Sequence, residues 1–173
     1  MFQSLPGLFF QLRPLTTEEI AASLEVHPPN LIPYARVRVA EDSLLLKLGA
    51  VLAPLTGDAV PIAMATLHLL HFPRGRVGLG VVVHELTHVA QYEKVGAIYM
   101  AEAFYAQRFG GGYNYGDLSQ ARRQGKHFSD FNREQQAQIC EDFYCARHGS
   151  PTGYGASLNE LEPFIEEMRK GEF

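Results

Sequence analysis

The chain has 173 residues, 15 of them Lys or Arg and 19 Asp or Glu, for a formal charge of −4 and a hydrophobic content of 46 %. That composition supports one real core burying roughly 70 % of the unfolded surface. It excludes a disordered chain, a protein held to nucleic acid by a general basic face and, with two cysteines, a disulfide scaffold. The expectation is one domain over residues 1–173, of α+β class and mostly helical.

The opening stretch, MFQSLPGLFFQLRPL, lacks a basic n-region and is broken by Pro6 and Gly7, so it reads as a poor Sec signal. Pro14 to Glu25 predicts a first helix, with Thr16 and Glu19 spaced as a capping box. HPPNLIP at 27–33 ends it and forces an extended connection. ARVRVA at 35–40 alternates and predicts a strand, Val37 and Val39 facing one way, Arg36 and Arg38 the other. LLLKLGAVLAPL at 44–55 carries Lys47, Gly49 and Pro54 and is too short to span a bilayer. It reads as a buried hairpin or core segment, with a surface that inserts into a membrane or a partner as the alternative. TGD at 56–58 marks a turn. ATLHLLHF at 65–72 predicts a second strand, ended by PRG at 73–75.

Gly78 to Lys94 carries the strongest helical pattern. Its first half, LGVVVHELTHVA, is apolar nearly all round, which predicts a helix buried in the middle of the domain. Gly96 separates it from a helix over Ala97 to Phe109. The Gly-rich GGGYNYGDL follows, and the chain stays polar and irregular to about Phe131. Asn132 to Arg147 predicts another helix, and GSPTGYG at 149–155 a loop. Leu158, Leu161, Ile165 and Met168 then trace an amphipathic C-terminal helix, with Pro163 weakening its first turn. Cys140 and Cys145 sit five apart on one helix and so point to different faces. Reduced thiols and a cytoplasmic origin are expected.

His84-Glu85-Leu86-Thr87-His88 is the sequence that carries chemistry. Residues i and i+4 of a helix stack on one face, so two imidazoles at this spacing can reach one zinc ion. Glu85 beside them can take a proton from water. Charged and polar groups inside an apolar run need a partner or a metal. The bland alternative is a pair of satisfied core histidines with Glu85 ion-paired nearby. A third ligand is required. The residues after His88, VAQYEK, lack the metzincin continuation, which points to a carboxylate on a later helix. Glu134 is preferred, because the small Ala137 one turn on permits close helix packing and Gln138 can support a ligand. Glu141, two turns on, is the main rival, then Asp142 and His127. For a second donor to a developing oxyanion, Tyr113 and Tyr115 flank Asn114 in the glycine-softened loop, with His127 as the alternative. Surface packing of these aromatics is the competing explanation.

LRPLTTEEIA (12–21), YARVRV (34–39), VVVHELTHVAQY (81–92) and the run YNYGDLSQARRQGKHFSDFNREQQAQICEDFY (113–144) together resemble the zinc metallopeptidase domain of contractile-injection-system and toxin-associated proteins. The texture is nearest the "Vgr-related" branch beside type VI secretion. The resemblance implies a zincin-like fold with a small sheet packed on the HExxH helix. It implies a gluzincin-like site in which His84, His88 and Glu134 hold Zn2+ and Glu85 is the general base. It also implies an edge strand, here 65–72, that pairs with an extended substrate, where His68 and His71 could line the cleft or stand exposed without a role. The chain departs from some relatives at 41–60, where it is unusually apolar.

Three functions are expected to compete. The first is a zinc endopeptidase acting on a peptide or protein, a processing factor or effector of a secretion system with an immunity or apparatus partner. The second is a catalytically silent zinc-binding adaptor of such an apparatus. The third is a hydrolase of peptidoglycan cross-links. No nucleic acid and no transmembrane segment are expected. Export by a non-Sec route from the producing cell's cytoplasm fits the first two.

Overall fold

The computed structural model describes residues 12–48 and 63–173. The opening stretch up to residue 11, the second half of the 44–55 run and the turn at 56–58 lie outside them.

Four short strands form one mixed sheet. They are β1 (Leu12–Pro14), β2 (Arg38–Ala40), β3 (Met64–Thr66) and β4 (Leu69–His71), in the order β1-β2-β4-β3. β1 and β2 run antiparallel, β2 and β4 parallel, and β3 and β4 antiparallel. The helices among the described residues are α1 (Thr17–Leu24), α2 (Leu79–Val95), α3 (Ile98–Phe109), α4 (Leu118–Arg123), α5 (Arg133–Arg147) and α6 (Leu158–Arg169). Residues 44–48 are also helical, and a 3-10 turn spans Phe128–Asp130. The fold is α+β and mostly helical, with a small sheet.

Local chemistry explains most of these boundaries. Thr16 caps α1 by accepting from the Glu19 N–H, while Glu19 accepts from the Thr16 N–H. Such reciprocal bonds satisfy two otherwise orphaned donors. Asn132 and Gln135 repeat the device at α5, and Ser157 and Glu160 at α6. Gly96 ends α2 at φ +72°, a conformation natural to glycine. α6 continues straight through Pro163 and buries Leu161, Phe164, Ile165 and Met168, a gain of about 1.5–3 kcal/mol for each such side chain.

Several expectations change. The strand over 65–72 is a hairpin: β3 turns at Leu67, where φ is +56°, and returns as β4. A leucine in a left-handed turn gives no warning of its own. Pro14, expected to open the first helix, instead ends the edge strand β1, and α1 begins at Thr17. Of 35–40, Arg38–Ala40 is strand, although Val37 and Val39 are buried and Arg36 and Arg38 exposed, as the alternation requires. In the described part of the 44–55 run, Leu46 is buried but Leu44, Leu45 and Leu48 are exposed, so that part is no core hairpin.

α2 lies between two apolar clusters. Val82, Leu86, Val89 and Ala90 pack with Val37, Val39, Leu70 and Phe72 of the sheet region. Val83 faces the other cluster, with Val26, Ile139, Phe143 and the buried face of α6. A helix enclosed on both sides must be apolar all round, which accounts for the run around HELTH.

Candidate metal centre

His84 and His88 stack one turn apart on α2, their ring centroids 5.1 Å apart. α5 crosses that face and delivers Glu134 from its first turn. Glu134 Oε2 lies 3.5 Å from Nε2 of each histidine. All three residues are buried, and their ligand-capable atoms lie within 4.8 Å of one another.

The close approach of the two helices has a residue-level cause. A Cβ at Gly80 would lie 2.8 Å from Cys145 Sγ and 3.4 Å from Glu141 Cγ, so glycine here lets α5 come near enough to reach the histidines. Ala137, fully buried, stands between Glu134 and Glu141 on the same helical face.

Each histidine has its other nitrogen occupied. His84 Nδ1 lies 3.1 Å from Glu141 Oε2, and His88 Nδ1 lies 2.8 Å from Gln91 Oε1. Gln91 is anchored in turn, its amide nitrogen donating to Arg133 O and to Gln136 Oε1, each at 3.0 Å. Partners on the Nδ1 atoms turn both Nε2 atoms toward Glu134, the orientation that metal-ligating histidines adopt. Glu134 Oε1 accepts from Gln107 Nε2 at 2.9 Å.

Two buried side-chain oxygens among the described residues have no hydrogen-bond partner: Glu134 Oε2 and Glu85 Oε2. An orphaned buried carboxylate oxygen is costly. Ligand atoms about 2.1 Å from one tetrahedral ion lie about 3.4 Å apart, close to the separations of 3.5 Å seen here. By donor type, spacing and the orphaned oxygen, the group can hold a metal ion.

The electrostatics follow from this crowding. Burial opposes the charged form of His84, but contacts with Glu134 and Glu141 outweigh it and push its pKa up to about 10. His88 is raised in the same way, chiefly by Glu134. Burial would raise Glu134, yet the two imidazoles hold it far below the ordinary carboxylate range. Glu85 goes the other way: burial raises it despite attraction to both histidines.

The remaining candidates separate cleanly. Tyr113 is at the site, its ring 5.6 Å from that of His84 and its hydroxyl accepting from Gln107 Nε2 at 3.1 Å. Tyr115 is not: its hydroxyl donates to Asp142 and its ring sits against Tyr154. Asp142 also accepts from the Gly153 N–H and from Gln138, so it pins the 149–155 loop. Gln138 therefore supports Asp142 rather than a ligand. Glu141 contacts the back of His84 rather than joining the three-residue group. His127 is exposed and pairs with Glu167, at 3.1 Å. His71 is buried between Ser43 and Thr66, and His68 contacts Glu93. β3 does lie at the sheet edge, but the Ala65 carbonyl already accepts from the Tyr99 hydroxyl at 3.0 Å, so that atom is not open to a pairing strand. Sequence reasoning missed Gln91, Gln107 and Tyr99. Gln91 had a signal, being an amide directly after the apolar run and three residues after His88.

Neither the protein-family models, the curated proteins nor the solved structures yielded a match to this chain. No helix among the described residues is long and apolar enough to cross a membrane.

Proposed function

We propose that the protein is a zinc-dependent peptidase. The observation that carries this reading is the convergence of His84 Nε2, His88 Nε2 and Glu134 Oε2, beside the buried, unpartnered carboxylate oxygen of Glu85. Two nitrogens and one oxygen are one of the donor sets of catalytic zinc sites, which keep one position open. Bound there, zinc would supply Lewis acidity toward a carbonyl and acidify water.

The chain's own residues supply the rest. With their Nδ1 protons held by Glu141 and Gln91, His84 and His88 would give up the Nε2 proton, which Glu134 stabilises in the metal-free protein, when a metal ion takes its place. Glu85, with its pKa raised by burial, takes a proton from water and returns it to the departing amine, and a base tuned upward is suited to both steps near neutral pH. Tyr113, over His84, donates its hydroxyl proton to the carbonyl oxygen as negative charge develops there. The substrate is a peptide bond in a protein or in a peptidoglycan stem. The link to an injection system is supported by the resemblance of the segments quoted above.

A second reading, a zinc-holding adaptor with an unused cleft, draws on one observation. α3 exposes Ile98, Phe104, Tyr105 and Phe109, and clustered exposed apolar side chains mark partner surfaces. An adaptor has no use for Glu85, which favours the peptidase.

The test is elemental mass spectrometry on protein purified without a histidine tag, followed by assay on casein and on peptidoglycan stem peptides. One zinc per chain is expected, weakened in Glu134→Ala. Glu85→Gln should retain zinc and lose turnover. Full activity in Glu85→Gln, or no zinc uptake by the wild-type protein, defeats the reading. Zinc uptake without cleavage of either substrate class moves the assignment to the adaptor.

A further inference from the structure

Gln107 makes two contacts with one atom. Its amide nitrogen donates to Glu134 Oε1 at 2.9 Å and to the Tyr113 hydroxyl oxygen at 3.1 Å. A side-chain amide nitrogen has two hydrogens, so these bonds use both. An ionised carboxylate only accepts, which fixes the nitrogen of the amide, not its oxygen, toward Glu134.

Two consequences follow. With Oε1 engaged, the oxygen left for the histidine pair is Oε2, the one 3.5 Å from both rings. At the other end, a phenol oxygen that accepts from Gln107 must direct its own proton elsewhere. The backbone around Tyr113 is independently held from the start of α5. Asn132 Nδ2 donates to the carbonyls of Gly110, at 2.9 Å, and Gly112, at 3.2 Å, while Gln135 Nε2 donates to that of Asn114, at 2.7 Å. Gly111 and Gly112 take φ of +85° and +60°, which lets the chain turn sharply enough to bring Tyr113 back over His84. With the loop fixed on both sides, the remaining freedom of Tyr113 lies in its side chain, and Gln107 is what grips it.

We propose that Gln107 is a positioning residue that sets both halves of the site together: it selects the Glu134 oxygen offered to the metal and aims the Tyr113 hydroxyl proton at the substrate carbonyl. The proposal rests on the peptidase reading for its second half, while the first half stands on metal binding alone.

Gln107→Met removes both N–H groups at nearly constant side-chain length, and Gln107 is solvent-exposed, so the variant should fold. Without zinc its melting curve should stay cooperative, with a midpoint a few degrees below that of the wild type because Glu134 Oε1 loses a donor. Zinc affinity, measured by competition with a chromogenic chelator, should fall about tenfold or more, the usual cost of losing a group that orients a ligand. At saturating zinc, kcat should fall about tenfold with KM nearly unchanged. In a Tyr113→Phe background the same substitution should cost no further kcat. Wild-type zinc affinity in Gln107→Met overturns the proposal whatever the activity, and equal kcat losses in the two backgrounds overturn its Tyr113 half. A wild-type protein that binds zinc but cleaves nothing fails the peptidase reading instead, and the affinity loss then still decides whether Gln107 governs Glu134.

Discussion

Tyr113 and Tyr115 are two residues apart and chemically identical, yet their surroundings assign them different work. Burial raises both phenol pKa values, but the Tyr115 hydroxyl is committed to the Asp142 carboxylate, whereas Tyr113 lies against His84. On the proposed peptidase reading, Tyr113→Phe should leave stability and zinc content intact and lower kcat by about a hundredfold, the cost of removing one oxyanion donor. Tyr115→Phe should do the reverse, leaving kcat within about twofold while destabilising the fold by about 1–3 kcal/mol, because Asp142 loses a charge-assisted bond in the interior. Denaturant titrations beside steady-state kinetics separate the two, and swapped phenotypes would show the roles to be misassigned. The sequence carried the metal group at this scale. HELTH puts two candidate ligands on one helical face through its spacing alone, and the small Ala137 behind Glu134 favours it as the third. The sequence could not state which tyrosine lies at the histidines, because neither neighbour nor spacing distinguishes the two. Gln107 was invisible for a similar reason: a polar residue on the exposed side of a helix is ordinary until the fold sets a carboxylate and a phenol on either side of it.

The helices were largely legible as elements because their caps and periods are local. Thr16 with Glu19, the glycine at 96 and the apolar stripe of α6 each fix a boundary without help from the rest of the chain. The sheet was less legible. Its strands are three residues long, so alternation marks only the second of them, through Val37 and Val39, and the β3–β4 turn uses a leucine rather than glycine or asparagine. Between elements, the decisive contact is α2 against α5, because it brings Glu134 to the histidines. Ala137 fills that seam. Ala137→Leu should wedge the helices apart, destabilise the protein by about 1–3 kcal/mol through overpacking, and weaken zinc binding by displacing Glu134. An unchanged urea midpoint together with unchanged zinc affinity would mean that the seam has room to spare and that the approach is governed at Gly80 alone.

At the scale of the whole molecule, α2 is tied to its surroundings on the face away from the metal group as well. His27, just past α1, is buried with Nε2 2.9 Å from Thr87 Oγ1 and Nδ1 3.0 Å from Ser23 Oγ. Thr87 reaches back to the Val83 carbonyl, and Ser23 contacts the Tyr34 hydroxyl. From α5, Cys140 faces the same threonine as a neutral thiol, its pKa raised by burial to about 12. From α6, Arg169 brings a positive charge while bonding to the Glu25 and Val26 carbonyls. Burial lowers the His27 pKa, opposed by the Ser23 carbonyl and reinforced by Arg169, to about 4. The unfolded chain takes up this proton near 6.5 and the folded protein only near 4. Between those values the unfolded state binds more protons, so stability falls as pH falls, and the loss is complete once both forms are charged. At about 1.4 kcal/mol per pH unit the interval is worth about 3 kcal/mol. The contribution is fully present above pH 6.5, so acid should begin to loosen this protein well above the range in which its carboxylates titrate. Urea midpoints of wild type and His27→Gln, measured at pH 7.5, 5.5 and 4.5, isolate this group because every other titration is common to both. The wild-type curve should fall more steeply over that range, the two converging toward pH 4.5. Parallel curves would show that His27 takes up its proton at the same pH in the folded and unfolded states, and that the α1–α2 contact tolerates the charge.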